Sequence, residues 1–266
     1  DATVSHSPDK IRNIAFVGHS AVGKTSLSEA ILFTAGVINR IGRVEDGSTT
    51  SDFTESEQER QISISASLLN CEWEGAKINA VDAPGYADFI GDAKAALWAV
   101  DSAVIVVNCQ QGVEVGTDKA WGFCEEFDRS AVFFVNQVDR EQADFDQTLT
   151  GLQEHFGQSV APVQIPVNQG TGFNQIVDVL HNRLVTYTAD GSKKSETGDV
   201  PAELQDRVDT MREQLVEAIA EGSDELLEKY LEQGELSDEE ISAGLRSGIA
   251  GRTVFPVLCG DATNNV

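Results

Sequence analysis

The sequence predicts an α/β fold with a mostly parallel sheet flanked by helices, and three observations carry that prediction. Short, continuous apolar runs at Ile11–Val17, Ala103–Val107 and Ala131–Val135 have the form of strands covered on both faces. Segments of helical spacing follow them, at Lys24–Ala35, Val113–Phe127 and Asp144–Phe156. The alternation of strand and helix is the order of a parallel sheet with crossover helices.

The remaining elements follow in order. Residues 1–10 are polar and read as a frayed start, and Gly36 stands where the first helix would be capped at its C-terminus. From Val37 to Gln61 the chain is polar, with no element of its own, and a connection that long is usually functional or disordered. Ile62–Leu68 alternates with period two and reads as a half-buried strand; Glu74-Gly75 marks a turn into its hairpin partner, Lys77–Val81. Asp88–Val100 is spaced as a helix. After Phe156 the pattern changes: Pro162 and Pro166 bracket a short strand, Gly170–Gly172 is a turn, Asn174–Arg183 reads as a helix and Leu184–Thr188 as a strand. Gly191–Gly198 is read as a polar turn. Pro201–Ala250 reads as three acidic amphipathic helices, broken at Gly222 and Gly234, the third opened by a Ser237/Glu240 capping box. Thr253–Leu258 is a last strand.

Composition narrows the function. A chain of 266 residues with 41% hydrophobic content can bury one large core, with or without a subdomain. Its net charge of −25, from 44 acidic and 19 basic residues, repels nucleic acid and acidic membranes. Sequence-specific nucleic-acid binding is therefore not expected, and any RNA contact must be local and directed by shape. The charge itself reads as a solubility feature, compatible with a salty cytoplasm. Cys71, Cys109, Cys124 and Cys259 lie far apart and mostly in apolar runs, which fits reduced, buried thiols. No apolar run approaches the ~20 residues of a membrane span, and the N-terminus lacks a signal-peptide core. The expected location is the cytoplasm.

The chemistry is organised around GHSAVGKT, Gly18 to Thr25, between the first strand and the first helix. This is the strand–loop–helix setting of a phosphate-binding P-loop, so the predicted architecture is a P-loop NTPase fold. Gly18 and Gly23 let backbone N–H groups wrap an anion at a helix N-terminus. Lys24 can reach the β- and γ-phosphates and the Thr25 hydroxyl can ligate Mg²⁺. The expected nucleotide-binding residues here are Gly18, His19, Ser20, Ala21, Val22, Gly23, Lys24, Thr25 and Ser26. Asp82-Ala83-Pro84-Gly85 ends the Lys77–Val81 strand, where ligands bind in open α/β sheets. Asp82 can hold the Mg²⁺ shell through water, and the Gly85 N–H can contact a γ-phosphate.

Two further stretches concern the base. Asn136-Gln137-Val138-Asp139 caps the Ala131–Val135 strand and is similar to the NKxD motif of GTPases. An aspartate there accepts from guanine N1–H and the 2-amino group, a donor pair that adenine lacks. Cys259-Gly260-Asp261-Ala262 ends the last strand, where a backbone N–H can meet guanine O6.

With these motifs in place the chain resembles elongation factor G and its relatives among the translational GTPases. EQERQISIS (Glu57–Ser65) resembles the family's switch I text, close to EQERGITI, and GRVEDGSTTSD (Gly42–Asp52) looks like the stretch upstream of it. DAPGYADF resembles DTPGHxDF, and NQVDR resembles NKMDR. The long interval from Asp139 to Cys259 matches the G′ insert of elongation factor G, and SDELLEKYLEQGEL is similar to text within that insert. The resemblance implies a G domain at 1–160 and 251–266 with an α+β G′-like subdomain inserted at 161–250. It implies Mg²⁺-dependent binding of GTP and GDP, ribosome-stimulated hydrolysis, the ribosome as partner, and further domains beyond Val266. It assigns Thr25, Ser63 and Asp82 (through water) to the metal, Lys24 to the phosphates in catalysis, and Asn136, Gln137, Asp139, Gly260, Asp261 and Ala262 to the base.

The departures from the family pattern are specific. Tyr86 stands where the family has the histidine that positions the attacking water, and phenol is a poor general base at neutral pH. Ala21 replaces a P-loop aspartate, Gln61 a glycine, Ser63 the Mg²⁺-binding threonine and Gln137 a lysine. Tyr86 and Ala21 both bear on hydrolysis, so the expected protein is a divergent paralogue. It is either a GTPase or a GTP-gated binding module that hydrolyses little.

Overall fold

The computed structural model describes residues 6–188 and 194–266. The chain divides into two compact units, 1–106 with 115–129, and 107–114 with 130–266.

The first unit is built from mostly parallel strands. Strands β1 (Ile11–Gly18), β2 (Ser67–Trp73), β3 (Ala76–Asp82) and β4 (Ser102–Asn108) lie in the order β2–β3–β1–β4. β1 runs parallel to β3 and to β4; β2 is antiparallel to β3. The β2–β3 hairpin turns on Glu74 (φ 48°) and Gly75 (φ 79°), two consecutive left-handed residues whose twist matches that of the strands they join. Helices α1 (Lys24–Thr34), α2 (Glu55–Arg60), α3 (Ile90–Ala99) and α4 (Val115–Glu126) complete the unit. Ala15, Phe16 and Val17 of β1 and Ile105 of β4 are buried, as is Leu97 of α3, which is why these strands read as unbroken apolar runs.

The second unit has β5 (Ser130–Asn136), α5 (Phe145–Phe156), β6 (Val160–Pro162) and the last strand in the chain, β11 (Phe255–Cys259). β11 lies between β5 and β6 and is parallel to both. Phe133 stacks on Phe156 with ring centroids 5.4 Å apart. Between β6 and β11 the chain makes an antiparallel sheet of β7 (Gln164–Pro166), β8 (Gln175–Asp178), β9 (Arg183–Tyr187) and β10 (Ser195–Gly198), in the order β10–β9–β8–β7. Helices α6 (Gln205–Glu221), α7 (Asp224–Gln233) and α8 (Asp238–Gly251) follow. The capping box at Ser237 and Glu240 opens α8 as the sequence predicts. Hydrogen bonding from Lys229, with the Ser237 backbone and hydroxyl, holds the Glu240 carboxyl down to about 2. The α/β class, the mostly parallel sheet and its flanking helices are as expected, with the extra antiparallel sheet set into the chain.

Four readings need correction. The segment 174–183 is not a helix but strand β8 and a tight turn. Its Ile-Val-Asp-Val run is too short to be told from a strand by spacing, and Asp178 closes the turn by accepting from the His181 N–H at 3.1 Å. The alternating run 62–68 is a strand only from Ser67. The amides of Ile64 and Ser65 go to the Glu57 side chain and that of Ala66 to Asp92, so they are spent before any ladder forms. The connection 37–61 contains α2, opened by a Thr54/Glu57 capping box. The polar turn placed at 191–198 is a strand over Ser195–Gly198, paired with β9; its residues 191–193 lie outside the described residues, as do residues 1–5 of the frayed start.

Candidate functional site

The loop after β1 is shaped by contacts that only certain residues allow. Gly18 has φ 138°, and a side chain there would meet the Val106 carbonyl at 2.3 Å, so β4 holds the exit of β1 against a bare backbone. Ala21 (φ 59°) and Gly23 (φ 91°) are left-handed and turn the chain into α1. No acidic residue stands in the first turn of α1, so the positive end of the helix dipole is not offset there. The Lys24 side chain is buried and folds back onto its own loop, donating to the carbonyls of His19 (2.6 Å) and Gly18 (3.3 Å). His19 Nδ1 accepts from the Gly116 N–H at 3.2 Å, tying the loop to the start of α4. Gly85 passes so close that a Cβ would lie 2.3 Å from Lys24 Nζ and 2.5 Å from the His19 carbonyl.

Asp82, at the end of β3, gathers three segments. Its Oδ2 accepts from the Thr25 hydroxyl (2.8 Å) and the Ser51 hydroxyl (2.7 Å), and Thr25 Oγ1 lies 3.2 Å from Ser63 Oγ. Its Oδ1 is buried without a hydrogen-bond partner. Burial raises the Asp82 carboxyl to about 6 against the lowering effect of the bonds from Ser51 and Thr25 and of the Lys24 charge. Asp52 is raised as well, by burial first, with the Ser63 bond opposing it. Ser20, Ala21, Lys24, Thr25, Ser26, Asp52, Ser63, Gly85 and Tyr86 all line one cavity of about 110 Å³. Tyr86 is 41% exposed at its edge. The predicted phosphate and metal residues of this unit are therefore brought together.

The sequence reading missed the groups that hold the loop over 42–65. Glu29 of α1 is buried, and its two oxygens accept from the N–H groups of Gly42 (2.8 Å) and Thr50 (2.6 Å). Glu57 is buried too. One of its oxygens takes the Ile64 and Ser65 amides (3.1 and 3.2 Å) and the other the Thr54 hydroxyl (2.6 Å). Burial alone would raise the Glu57 carboxyl, but these bonds outweigh it and lower it. The one signal for Glu29 was a charge set among apolar residues of α1, which marks a carboxylate with buried work.

In the second unit the motif at the end of β5 and the turn after β11 interlock. Asn136 is buried and its Oδ1 accepts from the Ala262 N–H at 3.0 Å, so that amide is already engaged. Val138 N–H donates to the Gly260 carbonyl, and Gly260 N–H to that of Val135. Asp261 is buried and accepts from Thr263 N–H (3.0 Å) and the Asn264 side chain; burial raises its carboxyl. Asp139 Oδ1 is buried without a hydrogen bond, and Arg140 Nε stands 3.8 Å from it, too far for one. Asp139 borders a cavity of about 560 Å³ with Thr171, Phe173, Asn174 and Asn264. Asn136, Gln137, Asp139, Gly260, Asp261 and Ala262 thus share one corner.

Residues 9–266 match the family model described as the elongation factor Tu GTP-binding domain. The chain belongs to that family. The GTP-binding domain is also similar to a protein of Thermus thermophilus of known crystal structure, with a TM-score of 0.89 and 32% identity. The match covers 96% of this chain and 38% of that protein. The chain is thus a GTP-binding domain of the elongation factor Tu kind, and it spans well under half the length of that relative.

Two outcomes follow from the carboxylates of the first unit. Asp82 is raised to about 6 when folded against an ordinary value of 3.8, so the folded domain holds its proton through the window between them. That contribution is complete below about pH 4 and is lost as pH rises through 6, a difference of roughly 3 kcal/mol. Chemical denaturation of the nucleotide-free domain between pH 4 and 7 is expected to show this slope, and Asp82→Asn is expected to flatten it. Glu29→Ala leaves two amides without their acceptor, at about 1–3 kcal/mol each. Trypsin is expected to cut after the exposed Arg43 about 10-fold faster in that variant than in the parent, with Glu29→Gln between them.

Proposed function

We propose that this domain is the nucleotide switch of an elongation factor G-like translational GTPase, divided into a G domain at 1–160 and 251–266 and a G′-like insert at 161–250. The observation that carries the reading is the cluster around Asp82. A buried, unpartnered carboxylate oxygen, with the Thr25 and Ser63 hydroxyls beside it, suits the water shell of a hard cation. Among the described residues no three His, Cys, Asp or Glu side chains could hold a metal by themselves. Mg²⁺ would be held by the Thr25 and Ser63 hydroxyls, by Asp82 through water and by the phosphates of a bound nucleotide. The metal would neutralise charge developing on the transferred phosphoryl group. The protein's own part is to place Lys24 and the loop amides of Gly18–Thr25 on the phosphates, and Asn136, Asp139 and the 260–262 turn on guanine.

Ser63 and Gly85 are the groups that would feel the γ-phosphate, the first through the metal and the second through its N–H. Loss of that phosphate would release the 61–65 segment and the stretch from Gly85 onward. The ribosome is the partner that the elongation factor G resemblance supports, and the cytoplasm the location. Among the described residues no helix is long and apolar enough to cross a membrane.

Tyr86 favours a second reading, a GTP-gated binding module with slow hydrolysis. Its half-exposed phenol borders the cavity where the family has an imidazole, and Ala21 offers no carboxylate in the loop.

Phosphate release by the full-length protein, with and without ribosomes, separates the two readings. Multiple turnover that rises on adding ribosomes is expected; flat release sinks the ribosome-stimulated GTPase and leaves the binding module. Tyr86→His is expected to raise turnover about 10-fold or more, within the range of a positioned acid–base group. An unchanged or lower rate removes Tyr86 as the cause of slow hydrolysis.

A further inference from the structure

One side of the cavity beside Asp139 is made by a turn that belongs to none of the motifs: Thr171, Gly172, Phe173 and Asn174, between β7 and β8. Its own side chains build it. Asn168 Oδ1 accepts from the N–H groups of Asn174 (3.3 Å) and Gln175 (3.0 Å). Asn168 Nδ2 donates to the Gly172 carbonyl and to Asn174 Oδ1, both at 3.0 Å. Phe173 is buried, and its N–H donates to the Gly170 carbonyl at 3.0 Å. The turn is also fastened to the base motif, because Gly170 N–H donates to the Val138 carbonyl at 2.8 Å. Gln169 Oε1 takes the first amide of α5, that of Phe145, at 2.8 Å. So held, the turn keeps its place beside Asp139.

At about 560 Å³ the cavity falls within the ~300–1,000 Å³ range of small-molecule sites. Asp139 brings to it a buried oxygen with no hydrogen bond. Asn174 and Asn264 also border it, but their amides already donate, to the Tyr187 carbonyl (3.1 Å) and to Asp261.

We infer that the 168–175 turn is a wall of the nucleoside pocket, with Thr171 and Phe173 as specificity-determining residues for the base. The inference rests on the reading of 136–139 as the base motif. A carboxylate reads a base by accepting from a pair of donors. In open water that reading is weak, because water replaces any donor the base lacks. Behind a wall it is not replaced, and a base with one donor too few leaves a buried oxygen unpaired. The apolar ring of Phe173 lowers the polarity beside Asp139, which makes the missing bond costlier. Thr171, exposed on the cavity, limits the room left for the base. The segment between β6 and β11 thereby takes part in choosing the nucleotide, although the phosphate and base motifs lie outside it.

The test is the affinity of the full chain for GDP and for IDP, with melting temperature measured alongside. The hypoxanthine of IDP keeps N1–H but lacks the 2-amino donor. The parent is expected to prefer GDP by about 10-fold or more, the scale of one hydrogen bond to a charged group. Phe173→Ala opens the wall and is expected to cut that preference about 5-fold, since water then serves the oxygen that IDP leaves unpaired. Thr171→Trp fills the cavity from an exposed position, and is expected to weaken GDP about 10-fold at an unchanged melting temperature. Parental GDP affinity in Thr171→Trp, or a parental GDP-to-IDP ratio in Phe173→Ala at any melting temperature, overturns the wall and leaves the base motif standing. So does a parent that holds GDP and IDP equally well. A parent that holds GDP no better than ADP overturns the base motif itself, and the wall with it.

Discussion

The first unit depends on one unfavourable fact, a carboxylate buried at the end of β3. Asp82 sits where its charge is poorly solvated, and the surrounding chain is arranged to compensate. Thr25 reaches it from the first turn of α1 and Ser51 from the loop before α2, while Ser67 of β2 in turn donates to the Ser51 carbonyl at 2.6 Å. Helix, loop and strand are fastened through a group that two hydroxyls and a lysine only partly satisfy. An interaction left incomplete in this way suits a site meant to change state, because a cation or a proton can each complete it and the two compete.

The same economy recurs in the long loop. Nothing between Val37 and Ala66 forms a sheet ladder, yet its backbone amides are not abandoned. Buried carboxylates take them in groups, Glu29 at Gly42 and Thr50, Glu57 at Ile64 and Ser65. A carboxylate accepts several bonds at once, so two side chains can order a stretch that has little apolar surface to bury. The consequence is an uneven loop. Its first part is pinned to α1 through Glu29 and reaches the phosphate cavity only at Val44 and Asp52, whereas Gln61, Ile62 and Ser63 line it as one continuous run. A change in the cavity acts first on the second part.

This division also explains what could be read beforehand. The strands and helices around GHSAVGKT were legible because burial on both faces writes continuous apolar runs, and because glycines and a lysine at fixed offsets have few other uses. The motif residues were legible for the same reason. The side chains that hold them were not. Glu29, Ser51, Asp52 and Glu57 look like ordinary polar residues in a chain with 44 acidic ones, and only the folded chain shows which of them are inside. Two of the misread elements share one cause: Ile62–Leu68 and Asn174–Arg183 have spacing that fits more than one structure. Side-chain hydrogen bonds to Glu57, Asp92 and Asp178 settled the matter, and spacing does not register those.

Three of the departures from the elongation factor pattern share a backbone property. Ala21, Gln61 and Gln137 all adopt φ between 55° and 64°, a region that costs a side-chain-bearing residue on the order of 1 kcal/mol over glycine. The neighbours explain why each is held there. Ala21 turns the phosphate loop into α1, Gln61 ends α2 with its N–H on the Glu57 carbonyl, and Gln137 starts the turn that Arg140 closes. A backbone imposed by surrounding contacts tolerates a change of side chain, so what varies at these positions is the chemistry offered. Ala21 withdraws a carboxylate and Gln137 withdraws a charge, and the Gln137 side chain accepts from the Asn108 amide at 2.5 Å. Beside Ala21 and Tyr86 in the cavity they line stands the Asp52 carboxyl, which burial already raises, so the chemistry offered there differs from the family's at more than one point.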